Sequence, residues 1–153
     1  MNKNKVVMCG VGVLILLVLA FYIKNWDAFS QPRVKSKTSV DEVIQEITKI
    51  ADKTLGSNYS YELDKEKNTF TLFVWDDSFL RTGKSAKAGY KNSQQSWAEL
   101  TEQILSICQR LQKKFTDVNL GTTVAVCAVS AENHDMVLLM ASKGKILYDA
   151  TKD

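Results

Sequence analysis

An unbroken run of 18 uncharged residues, Val6 to Ile23, constrains this chain more than any other feature. It reads VVMCGVGVLILLVLAFYI. As a helix rising about 1.5 Å per residue it would extend roughly 27 Å, close to the hydrocarbon thickness of a bilayer. Lys3 and Lys5 precede it, and Tyr22, Lys24 and Trp26 stand at its far end, residue types that suit the headgroup layer. A stretch apolar on every face with basic flanks is predicted to be a membrane anchor rather than a core helix, so residues 6–23 are expected to meet membrane lipid. A secretory signal is the alternative, with Val18-Leu19-Ala20 as its small-residue cleavage site. Continuation of the run through Phe21-Tyr22-Ile23 favours a retained single-pass anchor. Cys9 lies near the start of the run behind the bulky Met8, unlike a lipoprotein cysteine. Basic residues on the two sides nearly balance, and the short basic N-terminal tail resembles that of an export signal. The remainder of the chain is therefore expected outside the cytoplasm.

The formal net charge of +3 divides unevenly. Residues 1–38 carry six basic residues (Lys3, Lys5, Lys24, Arg33, Lys35, Lys37) against Asp27, whereas residues 39–153 carry 14 basic and 16 acidic ones. The basic excess flanks the apolar run, and the globular part lacks the electropositive footprint of a nucleic-acid binder. Lys outnumbers Arg 17 to 3, a bias that suits an AT-rich bacterial genome. Three segments result: tail and anchor over 1–23, a basic juxtamembrane tether over 24–38 holding the only proline, Pro32, and a small domain over 39–153. At that length a domain can bury a core without metal or disulfide staples.

The domain's pattern predicts an α+β fold, in the order α-β-β-α-β-β-β. Ser39-Val40-Asp41-Glu42 is a capping box for a helix over 40–54 with Val43, Ile44, Ile47, Ile50 and Ala51 as its apolar stripe and Gly56 as its stop. Alternation then predicts a hairpin, with Tyr59, Tyr61 and Leu63 sharing one face and Phe70, Leu72 and Val74 facing one way on the returning strand. Gly83 and Gly89 argue for an irregular segment over 76–92. Ser93 or Ser96 can cap the second helix, the spacing of Ser96 and Glu99 as another capping box favouring the latter, and the stripe Trp97, Leu100, Ile104, Ile107, Cys108, Leu111 and Phe115 follows. Thr122–Ser130, Met136–Ser142 and Lys145–Ala150 read as strands, with Lys143-Gly144 at a tight turn. Hairpins alternating with two helices predict a mainly antiparallel sheet of about five strands with the helices packed on it.

Strand hydrophobicity on both faces carries the functional expectation. Val124–Val129 and Met136–Ala141 are apolar at alternate and intervening positions alike, and Phe73 and Trp75 add aromatics to the second face of their strand. Such strands are usually covered on both sides. Two helices on one face would leave the other as a surface for a protein partner, with Phe73, Trp75, Met136, Leu138 and Met140 as its candidate residues; the partner could be a second copy of the chain. Arg81, Lys84, Lys87 and Lys91, spaced by three and four with no acid among them, are candidate anion contacts beside Tyr90. A ligand-binding or enzymatic domain acting through this segment is the alternative function, and a structural subunit of a membrane assembly is another.

Catalytic, cofactor and metal sites are not expected. The one histidine, His134, sits in a polar turn beside Asp135 and supplies too few ligands for zinc. Asp76-Asp77 lack the surrounding spacing of an EF-hand and, being adjacent on an extended chain, point oppositely. No G-x-S-x-G or glycine-rich phosphate loop occurs. Cys108 and Cys127 fall on apolar elements and read as inert thiols, able to pair only if the helix crosses that strand. The expectation is thus a non-enzymatic, membrane-anchored interaction domain.

Overall fold

The computed structural model describes Leu16 and residues 38–152. Three helices and five strands follow one another: α1 (Val40–Leu55), β1 (Tyr59–Asp64), β2 (Thr69–Trp75), α2 (Phe79–Lys87), α3 (Lys91–Asp117), β3 (Thr123–Val129), β4 (Val137–Ser142) and β5 (Lys145–Asp149). The fold is α+β. The strands form one sheet whose spatial order equals their chain order. Three of its pairings are antiparallel; β2 and β3 run parallel, so the sheet is mixed. The parallel pair sits where the α2–α3 crossover returns the chain to the edge it left, which two helices permit and a tight turn does not.

Local chemistry explains most boundaries. Ser39 Oγ accepts from the Glu42 N–H at 3.2 Å, and Glu42 Oε2 accepts from the Ser39 N–H at 3.3 Å, completing the capping box that opens α1. Gly56 ends that helix with φ +59°. Lys143 and Gly144 both take positive φ, the conformation a two-residue β4–β5 turn requires.

Two expectations about helices are corrected. The segment 76–92 is not irregular: it contains α2, with Gly83 inside it. Gly83 permits close approach rather than breaking the helix, because a Cβ there would lie 3.0 Å from Trp97 Cζ3. The next helix begins at Lys91, so Ser96 and Glu99 lie within α3 instead of capping it. Domain helices therefore number three among the described residues, not two.

All three pack on one face of the sheet. Val43, Ile44 and Ile47 of α1, Phe79 and Ala86 of α2, and Leu100, Ile104, Ile107, Leu111 and Phe115 of α3 share a single buried cluster with Phe70, Leu72, Val74, Val124, Val126, Ala128, Leu139 and Ala141. Removal of that much apolar surface from water is the main stabilising term. Polar ties fix the layers. Gln112 of α3 donates to the Thr122 carbonyl and accepts from the Val124 N–H, each at 2.9 Å, where β3 begins. Leu16 joins the same cluster beside Leu55, Val74 and Phe79. No helix of the described residues is long and apolar enough to cross a membrane; the predicted anchor over 6–23, apart from Leu16, and the tether over 24–38, apart from Thr38, lie outside them.

Candidate functional site

Pairing register decides what the opposite face carries. One row crosses all five strands: Ser60, Phe73, Cys127, Met140 and Tyr148. A second row joins Trp75, Val129 and Val137. No described helix lies on this side. The middle of the face is closed, since Ala125, Cys127 and Val129 are 2%, 2% and 0% exposed. Its flanks are open: Phe73, Trp75 and Met140 are half-buried, Tyr148 is 37% exposed, and Met136 on the β3–β4 connection is 45% exposed. The Trp75 ring stacks on His134 with centroids 3.9 Å apart, so His134 belongs to the aromatic rim.

The expected partner residues are thus mostly brought together. Leu138 is not among them. β4 carries an irregularity beside Ala128/Val129 that pairs Leu139 with Ala128 and Val137 with Val129, leaving Leu138 as the extra residue; it is 4% exposed and belongs to the helix-side cluster. A second irregularity in the β4–β5 pairing leaves Leu147 without a register partner and 61% exposed, a surface apolar residue that alternation alone did not single out.

The basic candidates occupy the helical side. Arg81, Lys84 and Lys87 lie on the outward side of α2, whose inward residues are Phe79, Thr82, Gly83 and Ala86. Lys91 opens α3, and all four are exposed. Beside them α2, α3 and the turn after β5 enclose an open groove of about 550 Å³ lined by Lys87, Gln94, Trp97, Glu102, Asp149 and Lys152 among others. Its floor is a polar knot that sequence spacing could not reveal, because it joins residues 52 apart. Trp97 Nε1 donates to Asp149 Oδ1 at 2.9 Å, the Thr151 N–H and hydroxyl donate to the same oxygen at 3.0 and 2.7 Å, and Lys152 Nζ lies 3.3 Å from Oδ2. Burial alone would push the Asp149 carboxyl up; the bonds from Thr151, Trp97 and Lys152 outweigh it and hold the group below the ordinary carboxylate range.

Cys108 and Cys127 are both free and buried. Cys108 points from α3 into the helix-side cluster, its thiol 3.6 Å from the Val124 carbonyl oxygen, whereas Cys127 belongs to the row on the other face. Burial raises both thiols, Cys127 to about 11. Among the described residues no three His, Cys, Asp or Glu side chains gather as metal ligands would.

The domain thus belongs to the class of mixed-sheet α+β proteins, with its three described helices in one layer. Comparison with protein-family models, curated proteins and solved structures finds no match to this chain.

Proposed function

We propose that the chain is a membrane-anchored, extracytoplasmic interaction domain without catalytic activity, which takes a protein partner on the rim of the sheet face opposite its described helices. The observation that supports this reading most is the apolar band of Phe73, Trp75, Met140 and Tyr148, with Met136 beside it, on the side of the sheet opposite all three described helices. Half-exposed aromatics and methionine grouped on one face are the composition of interface anchors. The anchor rests on the hydropathy of residues 6–23. Leu16, seated here against Leu55, Val74 and Phe79, would leave that seat on entering a bilayer.

The test places a photo-crosslinking amino acid at position 73 of the full chain in cells, with the exposed position 52 of α1 as control. A discrete adduct from position 73 that is absent from position 52, and lost on Met140→Lys, supports the reading. An adduct of twice the chain mass makes the partner a second copy. Absence of any position-specific adduct, or collapse of the domain on Phe73→Thr and Trp75→Thr, would show these residues to be core.

A ligand-binding reading is favoured by one observation, the groove floored by Trp97 and Asp149. Its volume is that of small-molecule sites, and its lining offers both charges and an amide.

A further inference from the structure

The tip of the α2–α3 hairpin combines three features that no core requirement explains. First, from Ser78 to Ala98 the chain holds four basic residues, Arg81, Lys84, Lys87 and Lys91, and no acid; Asp77 and Glu99 bracket the stretch. Helical spacing of three sets Arg81, Lys84 and Lys87 along the solvent side of α2. Second, the residues joining the helices, Ala88, Gly89 and Tyr90, are all exposed, and Tyr90 is 67% exposed, the most exposed of the large hydrophobics described. Third, Lys91 occupies the first turn of α3, where the helix dipole disfavours a cation and no acid compensates. The tip is positive against the local preference, with an aromatic at its apex.

We infer that this hairpin is a second, peripheral membrane contact: Tyr90 inserts at the headgroup level of an anionic bilayer while Arg81, Lys84 and Lys91 lie over its phosphates, holding the domain against the membrane that anchors it. Charge complementarity selects an anionic lipid surface, and tyrosine is a residue of the bilayer interface. Lys87 contributes less, since it lines the groove that also holds Glu102 and Asp149. Reach is sufficient, because 15 tether residues, 24–38, span up to roughly 50 Å. The contact uses the helical side and leaves the opposite sheet face free. It rests on the anchored reading only for the membrane's proximity.

The test uses the full chain carrying Cys9→Ser and a nitroxide on Ala88→Cys, in nanodiscs of phosphatidylcholine alone or mixed with phosphatidylglycerol. Retention in the discs through purification reads the anchor by itself, and a chain that does not insert is read with vesicles of the same two compositions. Shielding of position 88 from a water-soluble relaxing agent in the anionic membrane only, reversed by salt, is the expected result. Each neutralised charge lowers the docked-to-free ratio about fivefold, so Arg81→Ala with Lys84→Ala lowers it about twenty-five-fold. Tyr90→Ser weakens shielding without changing its salt dependence. Equal exposure of position 88 in both membranes overturns the inference. So does a response to soluble polyphosphate without one to anionic lipid, which would make the patch a polyanion site.

Discussion

A methyl group added at Gly83 would stand 3.0 Å from Trp97 Cζ3. Two effects then oppose each other. Alanine stabilises a helix interior by about 1 kcal/mol relative to glycine, while overfilling a packed contact costs about 1–3 kcal/mol. Trp97 cannot easily give way, because it is buried and its Nε1 is fixed to Asp149. Gly83→Ala is therefore expected to destabilise the domain by about 1 kcal/mol in urea unfolding, although it raises helix propensity. Asp149 offers a second residue-scale test. Its folded carboxyl titrates below the ordinary value, so the unfolded chain takes up this proton first as pH falls. The stability it provides is complete above pH about 4 and is lost as pH drops through the lower, folded value. Asp149→Ala should cost about 2 kcal/mol at neutral pH, by leaving the buried indole N–H without its acceptor, and should flatten the acid limb of a stability–pH curve. An unchanged acid limb would mean that another carboxylate governs it.

Elements were legible in the sequence where local signals agreed. The capping box, the Gly56 stop, the first hairpin and the Lys143-Gly144 turn each rest on neighbours within a few residues, and each is present in the fold. Ser39→Ala should accordingly cost about 1 kcal/mol. Reading failed where a residue answered to a distant partner. Gly83 looks like a breaker until Trp97 stands against it, and Ser96-to-Glu99 looks like a helix start until α3 is seen to begin earlier. Leu138 alternates like a surface residue until a bulge turns it inward. The candidate site was half legible for the same reason: alternation placed Phe73, Trp75 and Met140, whereas Tyr148 in their row and the Asp149 knot depend on pairing register and on contacts across the chain. The thiols give a check at this scale. In a Cys9→Ser chain, Cys108 and Cys127 should resist an aqueous thiol reagent at mildly alkaline pH and react only after unfolding, since burial raises both. Rapid labelling of the native protein would place one of them at an accessible surface.

At the scale of the molecule, the proposed anchor and the domain are expected to be separable. Deleting residues 1–37 should release the protein from alkaline-washed membranes and leave the circular dichroism of the domain in place, with the loss of Leu16's contacts as the cost to its core. Retention of the truncated chain on membranes washed only at neutral pH and low salt, and its loss in the alkaline wash, would instead credit the basic hairpin with a peripheral attachment. Sheet order has a consequence of its own. Because the strands are arranged as they are synthesised, β1 to β5, each new strand joins the free margin of those already made, and none must be threaded between two earlier ones. A chain held by its first residues and emerging from a ribosome or a translocation pore can therefore build its sheet outward in one direction. Its longest wait is the interval between Trp75 and Thr123, while the helical crossover emerges and β2 stands with an unoccupied side.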